Sequence, residues 1–157
     1  MAKVEKSIDV NVPVRAAYNQ WTQFEEFPRF MEAVKSVRQI DDRNLEWTAS
    51  IAGNEESWTA EITEQQPDQR IAWHSTSGRP NGGSVDFHHI DDNKTTVTLI
   101  MEWEPDGAVQ GAGAFLGFDD RQVEGDMKRF KEFIESRGDE TGEWRGVISR
   151  EEANSRS

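Results

Sequence analysis

The sequence predicts one α+β domain in which a curved antiparallel sheet of about seven strands wraps a long C-terminal helix, with two short helices after the first strand. Three observations predict it. Short segments that alternate apolar and polar residues recur from Val4 to Trp103. The links between them are brief and rich in turn residues, which favours hairpins over the long connections that parallel strands need. A strong helical stripe comes last, between Leu116 and Ile134. A chain of 157 residues is the size of a domain with one core, and the six Trp and eight Phe give that core large units of buried area.

Each element has a local cause. Val4, Ile8, Val10 and Val12 alternate with Glu5, Ser7, Asp9 and Asn11, as in a half-buried strand. Pro13 ends that strand and opens a helix in which Val14, Ala17, Tyr18 and Trp21 recur at three-to-four spacing. A second short helix is expected over Phe24 to Met31, with Pro28 in its first turn and Phe24, Phe27, Phe30 and Met31 on one side. Strands are then expected at Val34 to Ile40, Leu45 to Ile51, Ser57 to Thr63, Ile71 to Ser77, Ser84 to Ile90 and Thr95 to Trp103. Their punctuation is Asp41-Asp42-Arg43-Asn44, Gly53-Asn54, Pro67-Asp68, Gly78 to Gly83 and Asp91-Asp92-Asn93. A Gly- and Ala-rich stretch, Ala108 to Leu116, leads into a helix ending near Arg137, where Gly138 supplies a stop. Its stripe is Leu116, Val123, Met127, Phe130, Phe133 and Ile134. Residues 1–138 therefore read as the domain. Residues 139–157 read as a polar tail, flexible in part or whole, with Trp144, Val147 and Ile148 as its apolar exceptions.

Composition narrows the function. The net charge is -12, from 30 acidic against 18 basic residues, so the average surface repels phosphate backbones and anionic headgroups. No nucleic-acid partner is expected. The absence of Cys removes disulfides, thiolate metal sites and cysteine nucleophiles. No apolar run is long enough to span a bilayer, and Lys3, Glu5 and Lys6 interrupt the N-terminus. The expectation is a cytoplasmic, acidic protein with no integral membrane association, no cofactor and no metal.

Alternation also assigns an inward face. On it fall Leu45, Trp47, Ala49 and Ile51; Trp58, Ala60 and Ile62; Ile71, Trp73, Ser75 and Ser77; Val85 and Phe87; Val97, Leu99, Met101 and Trp103. Small residues, Ala49, Ala60, Ser75 and Ser77, are surrounded by large ones. A sheet packed tightly on a helix fills such positions, so a pocket is expected there, rimmed by Trp47, Trp58, Trp73 and Trp103 and covered by Val123, Met127 and Phe130. The competing reading is a dry core in which the four indoles fill that volume. Gly107, Gly111, Gly113 and Gly117 would loosen the chain where a gate would sit, or form a plain loop.

The order of one strand, two short helices, six antiparallel strands and a long amphipathic helix is that of the helix-grip fold. Three segments carry the likeness: VEKSIDVNVPVRAAYNQWTQFEEFPRFMEAVKSV (Val4 to Val37), WTAEITEQQPDQRIAW (Trp58 to Trp73) and DMKRFKEFIESRG (Asp126 to Gly138). They resemble the START-like, or SRPBCC, superfamily, in particular bacterial proteins of the polyketide cyclase/dehydrase or coenzyme Q-binding-like kind. The resemblance implies a hydrophobic cavity between sheet and helix, and the superfamily includes both carriers and enzymes.

The residues themselves show no catalytic constellation. His74 and His88 fall out of phase with the inward face, and a bulge would turn His89 outward as well. Adjacent His88 and His89 cannot both chelate one metal from a regular strand. Asp119, Asp120, Glu124 and Asp126 read as the solvated face of a helix. Tyr18, Ser75, Ser77 and Arg79 are the polar groups expected to line the cavity or its mouth. The expected function is binding of a hydrophobic small molecule such as a lipid, isoprenoid quinone or polyketide. The lining is Tyr18, Trp47, Ala49, Trp58, Ala60, Trp73, Ser75, Ser77, Arg79, Phe87, Met101, Trp103, Val123, Met127 and Phe130. One alternative is a polyketide aromatase/cyclase or dehydratase acting in the same cavity. Another is an interaction module with a vestigial pocket that contacts a protein through its acidic surface or Trp144. The sequence leaves open whether any reaction is catalysed and which protein, if any, is a partner.

Overall fold

The computed structural model describes residues 2–51, 54–78, 80–103, 120–137 and 140–148. Strand β1 (Ala2–Val10) leads into helix α1 (Val14–Trp21) and a 3-10 helix (Phe24–Arg29). Strands β2 (Val34–Gln39), β3 (Asn44–Ile51), β4 (Asn54–Gln66), β5 (Arg70–Ser75), β6 (Asn81–Asp91) and β7 (Lys94–Trp103) follow, and then helix α2 (Asp120–Arg137). All strands join one antiparallel sheet in the order β1-β7-β6-β5-β4-β3-β2. The meander is thus built from neighbours in sequence, and β1 closes it by pairing with β7 from Ala2↔Trp103 to Val10↔Thr95.

Local chemistry explains the boundaries. In the β2–β3 turn, Asp41 Oδ1 accepts from the backbone N–H groups of Arg43 (2.9 Å) and Asn44 (2.8 Å), which holds the tight reversal. The second short helix is a 3-10 helix with Pro28 near its end, whereas the sequence suggested a longer helix with Pro28 in the first turn. A short 3-10 segment needs few backbone donors, so it tolerates a proline there. Strand β4 runs longer than expected because a register shift between Ile62 and Glu64 lets it bend and continue. The same shift changes phase, so Gln65 faces inward and is buried.

Helix α2 is tied down at two places, to the segment after the 3-10 helix and to the end of β1. Near its start, Asp126 Oδ1 accepts from the Glu32 backbone N–H (3.1 Å), from Gln122 Nε2 (3.1 Å) and from Arg129 Nη2. Arg129 Nε also donates to the Phe30 carbonyl at 3.0 Å. Burial holds the Asp126 carboxyl above its ordinary value, and these donors offset only part of that rise. Near the other end, Lys131 Nζ donates to the Asp9 carbonyl (2.7 Å) and Glu135 accepts from the Asn11 N–H (2.7 Å). Of the expected stripe, Val123, Met127, Phe130 and Ile134 are buried and Phe133 is half-buried; Leu116 lies outside the described residues.

Residues 140–148 return to the domain rather than leaving it. Ile148 forms an antiparallel bridge with Gln65, and Trp144 packs half-buried against the core. The polar tail expected from 139 onward therefore includes a tethered segment, and 149–157 lie outside the described residues.

Candidate functional site

The inward face is built as the alternation requires. Trp47, Ala49, Trp58, Ala60, Trp73, Phe87, Met101 and Trp103 are all buried, as are Tyr18 from α1 and Val123, Met127 and Phe130 from α2. Register makes them neighbours. Trp47 stands opposite Trp58, Ala60 lies between Leu45 and Ser75, and Trp73 lies between Ile62 and Gly83. The row continues from Asn81 to Trp103 and from Gly83 to Met101.

The indoles do not simply rim an opening. Trp47 stacks nearly parallel to Trp58 (centroids 5.9 Å, 10°) and to Trp73 (6.0 Å, 24°). Phe27 meets Trp47 at 5.7 Å and Phe24 meets Trp73 edge-on at 5.9 Å, so the 3-10 helix packs directly onto this stack. From there Trp21 and Phe30 reach Phe130 at 5.1 and 5.2 Å. One end of the interior, around Phe27 and Phe130, is thus filled by aromatic rings. Gly83 makes the arrangement possible, because a Cβ there would lie 2.6 Å from Trp73 Cζ2.

Four buried polar atoms in this interior have no hydrogen-bond partner among the described residues: Tyr18 Oη and the Nε1 atoms of Trp21, Trp47 and Trp58. Leaving a buried donor unpaired costs about 1–3 kcal/mol. Tyr18 sits edge-on to Phe87 (5.3 Å), with the Arg145 guanidinium 5.4 Å above its ring. The Gln65 amide lies close by without reaching hydrogen-bond geometry. Burial pushes the Tyr18 phenol up to about 12, against smaller lowering effects of Gln65 and the Arg145 charge.

Ser75 is half-buried, and its Oγ accepts from the Asn81 backbone N–H at 3.0 Å. Ser77 is not on the inward face. Strand β5 stops at Ser75, the chain bends through Gly78 (φ 74°), and Ser77 is exposed with its Oγ accepting from the Thr59 N–H at 2.9 Å. Alternation fails where the strand ends. Arg79 and the glycines at 107, 111, 113 and 117 lie outside the described residues, as does Asp119. His74, His88 and His89 are exposed; His89 still pairs in register with Thr95, and the register shift falls beyond it, between His89 and Asp91. Among the described residues no group of three or more His, Asp or Glu is placed to hold a metal ion.

Sequence reasoning missed three inward groups. Asn81 is buried because β6 begins there, and extending the phase of Val85 and Phe87 backwards would have found it. Gln65 needed knowledge of the β4 bulge. Phe24 and Phe27 were assigned to an apolar helix side, with no signal that they meet the Trp stack.

The family described as polyketide cyclase/dehydrase and lipid transport matches residues 10–132. The chain belongs to that family. It is 50% identical over 149 residues to a Streptomyces lincolnensis protein described as an uncharacterized 17.2 kDa protein in the melC2-rnhH intergenic region, covering 94% of this chain and 99% of that one. A START superfamily protein from Mycobacterium smegmatis superposes with a TM-score of 0.72 at 14% identity, over 87% of this chain and 99% of its own. The Zhui aromatase/cyclase from Streptomyces sp. R1128 does so with a TM-score of 0.60 at 14% identity, over 87% and 86%. These two likenesses establish the fold, which is the START-like helix grip. Among the described residues no helix of this family member is long and apolar enough to cross a membrane.

Proposed function

We propose that the chain binds a hydrophobic small molecule, of the lipid, isoprenoid quinone or polyketide-like class, between the sheet and α2. The observation that carries this reading is the pair of buried indole N–H groups on Trp47 and Trp58 that meet no acceptor among the described residues. An indole nitrogen only donates, so an apolar ligand bearing a carbonyl or hydroxyl oxygen would satisfy it. The aromatic cluster occupies the Phe27 and Phe130 end, which directs the proposed site toward Ala60, Ser75, Met101 and Trp103, with Trp58 beside them and Val123 and Met127 from the first half of α2. Trp47, Ala49, Trp73, Phe87 and Tyr18 would form its walls, and Arg79 stays in the set on its sequence position. Ser77 does not, since it is exposed.

The family description and the aromatase/cyclase likeness support a second reading, cyclisation or dehydration of a polyketide in the same space. Tyr18 favours it: a buried phenol that keeps its proton well above neutral pH can donate to a substrate carbonyl but cannot serve as a base. Loss of turnover in Tyr18→Phe with retained ligand affinity would support catalysis, and unchanged turnover would remove its basis. For the binding reading, organic extraction of the purified protein followed by mass spectrometry should release one compound class near one per chain, absent from Ala60→Trp. Recovery of nothing, together with no uptake of added apolar compounds, would overturn it.

A further inference from the structure

The segment 140–148 has almost no regular secondary structure, yet it is held along its length. Glu140 Oε1 accepts from Asn19 Nδ2 at 3.2 Å. Gln20 and Thr141 exchange two hydrogen bonds, each of 2.9 Å. The Trp144 N–H donates to Thr22 Oγ1 (3.1 Å), and Arg145 donates to Asn19 Oδ1 (2.6 Å) while pairing with Asp68 at 2.8 Å. Gln65 and Ile148 exchange both backbone hydrogen bonds, at 2.8 and 3.0 Å.

What lies underneath is unusual for a core edge. Asn19, Gln20, Thr22 and Gln65 are buried, and the segment supplies hydrogen-bond partners to each of them. Apart from Trp144 and Ile148, the seam is polar on both sides. Separating it exchanges protein hydrogen bonds for water and uncovers two apolar side chains of the segment, Trp144 and Ile148, whereas lifting α2 would expose the four buried residues of its stripe. Directly beneath Arg145 lies the Tyr18 ring, which meets buried Phe87 edge-on.

We propose that residues 140–148 form a releasable strap that closes the Tyr18 end of the interior, and that lifting this strap is how an apolar ligand gains entry. The closure stands on the contacts above; the entry step rests on the ligand-binding reading.

The chain contains no Cys, so a single engineered disulfide can lock the strap without competition. Gln65 and Ile148 are a hydrogen-bonded antiparallel pair, whose Cα atoms lie about 5.5 Å apart, within the span a disulfide bridges. In the Gln65→Cys/Ile148→Cys double variant, uptake of the neutral fluorophore N-phenyl-1-naphthylamine is followed by rapid mixing in oxidised and reduced forms. The oxidised form should take up the probe at least about tenfold more slowly than the reduced form. Equal rates, with the disulfide verified by mass, would overturn strap-gated entry. A chain ending at Asp139 should take up the probe faster than the full chain, and its Tyr18 phenol should titrate below its midpoint in the full chain, the lost cover outweighing the lost Arg145 charge. A Tyr18 midpoint that stays at about 12 in that folded, shortened chain would overturn the closure itself. Should the shortened chain not fold, the reduced and oxidised double variant decides, because both forms share one sequence. If the probe enters neither form, the ligand-binding reading fails, and the closure is then judged by the Tyr18 titration alone.

Discussion

Raising the pH titrates a single phenol in this protein, because Tyr18 is its one tyrosine. Burial lifts that phenol from 10.0 to about 12 in the folded chain, with Gln65 and the Arg145 charge opposing and Asp68 adding to the rise. The groups facing it come from α1 itself, from β4 (Gln65), from the β4–β5 turn (Asp68) and from the strap (Arg145). A shift of two units corresponds to about 2.7 kcal/mol of differential stability, to be read as roughly 2–3. The sign follows from proton counting. Between the two midpoints the folded state holds the proton and the unfolded state has lost it, so stability falls as pH rises. Below pH 10 the group contributes no pH dependence; the loss accumulates through the folded midpoint near 12. Lysines titrate in the same window, so the measurement is a difference. Urea unfolding of the native chain and of Tyr18→Phe across this range should diverge by that amount, and phenolate absorbance of the folded chain should be displaced upward from that in denaturant. A folded-state midpoint near 10, with circular dichroism intact, would refute the burial of Tyr18 under the strap.

Two further perturbations test the packing that frames the site. Gly83→Ala places a Cβ 2.6 Å from Trp73 Cζ2 and 3.0 Å from Met101 Sδ, so it should cost about 1–3 kcal/mol in urea unfolding and disturb the near-UV signal of the Trp stack; an unchanged midpoint would mean that Trp73 does not lie over Gly83. Asp126→Ala strands the Glu32 N–H and Arg129 beside a buried site and should cost about 3 kcal/mol, while Asp126→Asn, which keeps an acceptor oxygen, should cost less; equal small effects in both would show that α2 is not anchored there.

Much of the fold was legible because period-two alternation and turn chemistry act locally. Val4 to Val10, Leu45 to Ile51 and Thr95 to Trp103 follow from their own residues, the first strand stopping two residues short of the expected Val12. The failures sit where tertiary geometry overrides local pattern. Ser77 was assigned inward by extending a strand that ends two residues earlier, and Gln65 was missed because a bulge changes the phase of β4. The inward face was legible as a set of residues but not as an arrangement. Nothing in the sequence says that Trp73 folds over Gly83 and stacks on Trp47, since that depends on a glycine one strand away. The docking of 140–148 was hidden for a related reason. Its partners, Asn19, Gln20 and Thr22, are polar residues on a short helix, where a solvated face is the simplest reading, and they are buried through a segment more than a hundred residues later.

The most direct test of the central claim is an equilibrium titration of the folded chain with N-phenyl-1-naphthylamine, read by energy transfer from the buried tryptophans. Saturable binding near one probe per chain, with transfer from the Trp47, Trp58 and Trp73 stack and marked weakening in Ala60→Trp, is the predicted result. A folded chain that shows no saturable binding, or the same binding with Ala60→Trp, would contradict a ligand site between the sheet and α2.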